Sequence, residues 1–318
     1  MTVRPSVIPH TRRWGIGMAF VTSVISGFAV FLNSYGVTSW AGSGVSSATY
    51  TTAKNLMAAL VLGGLLFVMS RKGSEDGFTR PSTRSQWLGL AVIGLIGGSV
   101  PFLLFFEGLA RATSTQAAFI HKTLLIWVVA LAVPLLKERF SFVHVGALSL
   151  LVWGLVSLAG GITDLALGSG ELMVLAATLM WSVEVIVAKR LLANLSPLTL
   201  GTARMSLGVV VLLAYGIVSG AFAGLGQLGW SQWSWAVLTG LVLTGYVATW
   251  YSGLARAQAI DVTAVLVFGA VVTAALQSGI RGADLASQRL GLILVTLGAI
   301  AIGLLREAGY TRTGALPR

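Results

Sequence analysis

Four charged side chains stand well inside long apolar runs of this 318-residue chain, away from the ends of those runs: Lys54, Lys122, Glu184 and Arg204. A charge at the centre of a bilayer costs about 2.5–3.5 kcal/mol on insertion scales, so such a residue normally faces a partner or a wet cavity. Three of the four are cations, the side chains that hold a carboxylate or another anion. For Lys54 and Arg204 two readings stay open: an anion ligand or gating ion pair, or a long side chain snorkelling to the nearer interface. Glu184 follows Trp181 by three positions, which puts both on one helix face. There the carboxylate can take an ammonium or a coupling proton, with Trp181 as a cation–π or stacking wall. It can equally pair with Lys54, Lys122 or Arg204. His121 and Lys122 are adjacent, roughly 100° apart on a helix, so one of them faces a cavity. We take Lys122 as the anion-facing residue and His121 as packed, although histidine titrates near neutral pH. Lys54, Lys122, Glu184, Arg204, Trp181 and His121 make up the expected substrate-binding set. Glu107 and Arg111 are spaced i,i+4 near a helix end. They read as a gating or structural ion pair, with the local structural role favoured.

Enzyme chemistry finds no foothold. The absence of cysteine removes disulfides, thiolate metal sites and thiol nucleophiles. No H-E-x-x-H, G-x-S-x-G or P-loop sequence occurs, and nothing in the spacing of Ser99 and His144 makes them a catalytic pair. We expect no catalytic residue, no metal and no cofactor. The formal net charge of +11 would suggest nucleic acid in a soluble protein. Here no basic stretch is interleaved with aromatics in a loop long enough to fold, and nucleic acid is not an expected partner.

The elements that must position these residues follow from composition. Hydrophobic residues make up 56% of the chain and charged ones only 10%, too few to cover a soluble domain of this size. Mean hydropathy is +0.87. Ten apolar runs follow one another, near 15–33, 46–69, 87–109, 115–136, 142–160, 171–189, 198–219, 233–253, 262–280 and 287–305. Each approaches the roughly 20 residues a membrane helix needs. They are continuous, unlike the alternating strands of a membrane barrel. The expected fold is therefore an all-α integral membrane protein of ten transmembrane helices. The first run, after Arg4, Arg12 and Arg13, lacks the short core and cleavage site of a signal peptide and reads as a retained helix. Gly63-Gly64 and Gly97-Gly98 read as packing or bending sites. Trp14, Trp40, Trp87, Trp230, Trp233 and Trp235 read as interfacial anchors. Lys137, Glu138 and Arg139 read as a helix end with a loop or headgroup role.

With the N-terminus inside, fifteen basic residues fall in cytoplasmic segments and three (Arg111, Arg281, Arg289) outside. That bias places both termini in the cytoplasm and requires an even number of spans. The expected location is the plasma (inner) membrane.

The chain also repeats itself. Gly108-Leu109-Ala110-Arg111-Ala112 recurs as Gly253-Leu254-Ala255-Arg256-Ala257, an offset that also carries Gly146 onto Gly291. Thr52-Ala53-Lys54 matches Thr202-Ala203-Arg204. Two halves of five helices, an odd number, must enter the membrane from opposite sides. Such inverted repeats are a common transporter architecture, with two related gates around a central site. A channel, a scaffold without carrier activity or, less readily, an intramembrane enzyme are the alternatives.

Several stretches carry a family likeness: PFLLFFEGLARA from Pro101 to Ala112, AAFIHKTLLIWVVALAVPLLKERF from Ala117 to Phe140, Gly146 and Gly154, Trp181 with Lys189, and Pro197 with Arg204. In their order and spacing the chain resembles the EamA-type transporters of the drug/metabolite transporter superfamily. The resemblance implies two five-helix repeats, at 1–160 with a basic N-terminal tail and at 161–318 with a short cytoplasmic C-terminal tail. It implies transport, often export, of amino acids or related metabolites without an ATP-binding domain. The implied partners are a small-molecule substrate and the lipid bilayer; a coupling proton or ion and the oligomeric state are left open. The second half departs from the pattern, because Gly279 and Ala283 stand where the first half has Pro134 and Glu138.

If Lys54, Lys122 and Glu184 line one polar cavity, single cysteines placed there should react with a water-soluble thiol reagent. The natural absence of cysteine makes the background clean. Protection of position 122 or 184, with reaction at neither face, would remove it from the site.

Overall fold

The computed structural model describes residues 9–74, 76–112, 114–158 and 168–304. Arg4, Arg306, Arg312, Arg318 and the expected junction between the halves at 160/161 lie outside them. Among the described residues the regular elements are all helical. Span 1 is α1 (Pro9–Ala41) and span 2 is α2 (Ser47–Arg71). Span 3 is two pieces, α3 (Arg84–Ile96) and α4 (Val100–Arg111), as is span 4, α5 (Ser114–Lys122) and α6 (Leu124–Leu136). Spans 5 to 8 are α7 (Phe142–Leu158), α8 (Ser169–Leu191), α9 (Pro197–Ser219) and α10 (Trp230–Arg256). Span 9 is α11 (Ala259–Leu266) with α12 (Gly269–Arg281), and span 10 is α13 (Arg289–Leu304). Among the described residues nine spans are long and apolar enough to cross a membrane, and α7, at 17 residues, is the short tenth. Large apolar side chains such as Leu60, Leu88, Trp153 and Val210 face outward, as a lipid-facing surface requires.

The repeat is written in the packing. Span 1 runs antiparallel to span 8, and span 6 runs antiparallel to span 3 in the same way. Gly15 of α1 lies against Arg256 and Ala257; Gly170 of α8 lies against Arg111 and Ala112. A methyl group on Gly253 would meet the Gly15 carbonyl at 3.0 Å, and one on Gly108 would meet the Gly170 carbonyl at 2.7 Å. The GLARA sequence is thus a helix-crossing motif, small because two backbones approach there. The first crossing lies at the end of the bundle that holds Arg12, Arg71, Arg84, Arg190 and Arg256, the basic end. The second lies at the far end. The two halves are therefore inverted.

Spans 2 and 7 pack on each other, as do spans 5 and 10, so the axis relating the halves passes between these pairs. Ser46 caps α2 by accepting from the Thr49 amide, and Ser196 caps α9 by accepting from the Thr199 amide, both at 3.2 Å. This extends the match of Lys54 with Arg204. Between α7 and α13 the reciprocal contacts are Gly154 with Gly291 and Val295, and Gly298 with Ala147 and Leu151. They pair Gly154 with Gly298 and Ala147 with Gly291. The register there is 144 residues, not the one that carries Gly146 onto Gly291.

Spans 4 and 9 break at symmetric places, Thr123 and Val267-Phe268. Span 3 breaks at Gly97-Gly98-Ser99, whereas span 8 is continuous. The cause is local. Two glycines followed by Pro101 weaken the helix and remove a backbone donor, while span 8 has Val242, Leu243 and Tyr246 instead. Gly63 and Gly64 neither pack nor bend, since α2 is unbroken and a methyl at either would meet nothing within 4 Å. Trp40 is not an interfacial anchor. It is wholly buried against Tyr50 and Trp233, and its indole donates to the Gln232 carbonyl at 2.9 Å. Trp14, Trp87 and Trp230 are exposed at helix ends.

A methyl at Gly291 would meet the Gly154 carbonyl at 2.7 Å and the Leu158 amide at 2.9 Å, backbone atoms that cannot rotate away. Gly291→Leu should therefore destabilise the folded chain by about 1–3 kcal/mol or more. Gly63→Ala, in open space, should gain up to about 1 kcal/mol from helix propensity. Thermal unfolding of the purified variants in detergent checks both signs.

Candidate functional site

Lys54 lies two turns inside α2 and is only 5% exposed. Its ammonium donates to Asn33 Oδ1 at 3.2 Å, its one hydrogen bond among the described residues. Three aromatic rings surround it: Phe106 at 4.7 Å, Tyr50 at 5.5 Å and Phe102 at 5.8 Å to the ring centroids. Tyr50 is itself fixed, with its hydroxyl 2.8 Å from that of Thr239 and donating to Asn33 at 3.1 Å. No carboxylate among the described residues touches Lys54. The rings supply cation–π attraction, which softens but does not neutralise a buried charge.

Its counterpart Arg204 is equally buried but differently satisfied. Nη2 donates to the Gly97 carbonyl at 2.9 Å, and Nε stands 3.9 Å from Glu184 Oε1. Nε and Nη1 have no hydrogen-bond partner. Glu184 accepts from the Tyr251 hydroxyl on α10. Of the three cations weighed for it, Arg204 is the partner of Glu184. Trp181 donates to the same Gly97 carbonyl at 3.2 Å. The break in span 3 frees that carbonyl, and two side chains from spans 6 and 7 take it up.

Phe102 joins the two cations, because its ring lies 5.8 Å from the Lys54 ammonium and 5.9 Å from the Arg204 guanidinium. Around it Trp181, Phe105 and His121 form an aromatic cluster with centroids 5.0–5.7 Å apart. His121 is packed edge-on, with Nδ1 buried and unpartnered. The structure therefore gathers Lys54, Arg204, Glu184, Trp181 and His121 around the start of α4. Lys122 is not among these contacts and makes no hydrogen bond or ion pair with the described residues. Glu107 and Arg111 form an exposed i,i+4 pair at 2.5 Å toward the far end, outside the aromatic cluster. A pocket on the far-end side, between α2, α4 and α9, is lined by Ser47, Thr51, Phe102, Phe106, Glu107 and Tyr215. Two of its rings are those over Lys54. Thr51, one turn above Lys54, has a buried, unpartnered hydroxyl, as Asn55 has a buried, unpartnered amide oxygen.

The basic end is closed by a second group that sequence reasoning missed. The Glu138 carboxylate accepts the Ala259 amide at 2.6 Å and the Ile260 amide at 3.0 Å, capping α11 of the other half. Lys189 donates to the Leu254 and Ala257 carbonyls, each at 2.6 Å, satisfying the end of α10. Asp261, 1% exposed, accepts from Arg12 at 2.8 Å and lies 3.1 Å from His144 Nε2. The Ser141 amide donates to His144 Nδ1 at 3.2 Å, so Nε2 carries the proton given to Asp261. Four spans thus clasp the turn between α10 and α11. Glu138 is no headgroup contact; its carboxylate is turned into the bundle. Burial pushes its carboxyl above the ordinary range, and the two amides and nearby Lys189 pull it partly back. Asp261 was findable, as an acid between two apolar runs directly after the second GLARA. Asn33, Tyr50 and Phe102 carried no such signal.

A solved structure titled "Crystal structure of protein" matches 90% of this chain and 95% of its own, with a TM-score of 0.71 and 17% identity. At that identity it shows the fold. No curated protein matches the chain. The EamA-like transporter family matches it twice in succession, over residues 13–160 and 168–304. Those two matches cover the inverted halves almost end to end, and the chain belongs to the EamA-like transporter family.

Proposed function

We propose that this member of a transporter family is a secondary exporter of small carboxylate-bearing metabolites, amino acids among them. It works by alternating access between the halves at 1–160 and 161–318. The observation that carries the reading is Lys54, a buried ammonium without a counter-ion among the described residues, next to a pocket that opens on one side of the bundle. A buried charge left unpaired is costly, and a carboxylate would relieve it. Arg204, with two unpartnered nitrogens, is the second anion ligand. Trp181 and His121 belong to the aromatic wall. Lys122 is kept as a ligand of a later position in the cycle. Glu107 with Arg111 keeps a structural role at the far end. The fifteen-to-three bias of basic residues supports a plasma-membrane protein with the basic end in the cytoplasm.

The clasp supplies the inner gate. Its elements are unequal between the halves: Ala283, Gln116 and Ser34 stand at the far end where Glu138, Asp261 and Lys189 stand at the basic end. The closed basic end and the indented far end fit an outward-facing state. Inward opening must then release Glu138 from Ala259 and Ile260.

Purified protein in liposomes should move labelled carboxylates down their gradients without ATP. Absence of flux across a broad metabolite panel, with folded protein, would refute the transporter mechanism proposed here. For the gate, Glu138→Ala removes two charge-assisted hydrogen bonds, each worth about 1.5–3 kcal/mol. A cysteine at buried Thr263 should then label from the basic end roughly tenfold faster or more, while a cysteine at Ser47 keeps its rate. Unchanged labelling at 263 would make Glu138 a static cap. Glu138→Gln, which keeps one acceptor, should fall between.

A further inference from the structure

The charge balance of the central site selects among carboxylates. The cluster around Phe102 contains Lys54, Arg204 and Glu184, two cations and one anion. Glu184 is already committed, with Arg204 beside it and the Tyr251 hydroxyl bonded to it. What remains is one positive charge, at Lys54. A monoanion makes the loaded site neutral. A zwitterion gives its carboxylate to Lys54 and brings an ammonium that only Glu184 could receive, leaving the net positive charge in place. In a water-poor interior that residue of charge is expensive. Lys122, if it joins the site, adds to the positive excess.

The other walls fit the same guest. Lys54 is flanked by Tyr50, Phe102 and Phe106, which offer apolar faces to the body of a ligand. Besides His121 Nδ1 in the aromatic cluster, four buried polar atoms close to the two cations are left without partners among the described residues: Thr51 Oγ1, Asn55 Oδ1 and Arg204 Nε and Nη1. Three of these four can donate or carry donors to a carboxylate. The described carboxylates outside the cluster are occupied elsewhere: Asp76 by Arg256, Glu107 by Arg111, Glu138 by α11, Glu171 by the Gly168 amide, Asp261 by Arg12 and His144, and Asp284 by the Ala286 amide.

We infer that the site takes a net-anionic monocarboxylate with an apolar or aromatic body, and that an α-ammonium group counts against binding. The inference rests on the carboxylate-transporter reading and narrows it, setting organic acids ahead of amino acids as the substrate class.

The test pairs each carboxylate with its α-amino counterpart on the full chain in detergent, read by tryptophan fluorescence or calorimetry. The probes are 3-phenylpropionate with phenylalanine, and 4-methylpentanoate with leucine. The acid of each pair should bind at least about tenfold more tightly than the amino acid. Lys54→Met should cost the acids about tenfold or more, and Glu184→Gln should leave their binding equal or tighter. Circular dichroism and size-exclusion profiles establish that both variants fold. Equal or tighter binding of the amino acids, or acid binding that survives Lys54→Met, overturns the inference. So does failure of every acid to bind. Flux of some other labelled metabolite in liposomes would still leave the transporter reading standing, which separates the two failures.

Discussion

Hydrocarbon offers no water, so each charge and each backbone polar group inside this bundle must be satisfied by the chain itself. That constraint orders the rest. It makes the spans helical and turns their large apolar side chains outward. It also forbids helices from separating easily around a polar group. The helices instead meet at small residues, Gly15 on Ala257, Gly170 on Ala112 and Gly154 on Gly291, where backbones come close enough to pack without side chains. Because each of these crossings has a counterpart related by the repeat, the same short sequences serve both ends of the molecule.

The symmetric scaffold carries asymmetric chemistry. At the basic end the α10–α11 turn is held by Glu138, Lys189, Arg12 and His144. At the far end, the corresponding positions have Ala283, Ser34 and Gln116. In the middle, the break at Gly97-Gly98-Ser99 has no partner in span 8. A transporter with two identical gates has no preferred resting state. Under the proposed mechanism, one bolted with charge at a single end would rest shut there, with the energy needed to open that end held in a small number of identifiable bonds.

Much of the architecture was legible in the sequence because it rests on properties of single segments. Apolar length gave the ten spans, and an odd number of helices per half gave the inversion. The repeat GLARA marked helix crossings, although sequence alone could not say that its meaning was backbone approach. The candidate charges were found for the same reason: Lys54, Glu184 and Arg204 are conspicuous in hydrocarbon. What escaped depends on pairs distant in the chain. Glu138 looks like the end of a helix until Ala259 and Ile260 are brought to it. Trp40 looks like an anchor until Gln232 and Tyr50 close over it. Asn33 and Phe102 are ordinary residues in ordinary runs, and only the fold places them on Lys54. The register between α7 and α13 was misread because one glycine match in a glycine-rich chain carries little information.

The break in span 3 and the proposed anion site share atoms. The Gly97 carbonyl, freed by the break in span 3, accepts from Arg204 and from Trp181. Arg204 is also a cation flanking Phe102, and Phe102 sits on the first turn of α4, just past that break. A carboxylate that draws the guanidinium toward itself removes one of the two donors from the Gly97 carbonyl. The carbonyl is buried, and losing a charged donor there costs about 1–3 kcal/mol unless the backbone rearranges. α4 carries both the ring between the cations and the outer wall of the pocket, Phe106 and Glu107. In the proposed cycle, one carbonyl oxygen would thus couple binding to movement of α4. A continuous helix at this position, as in span 8, would pair that oxygen internally and break the coupling.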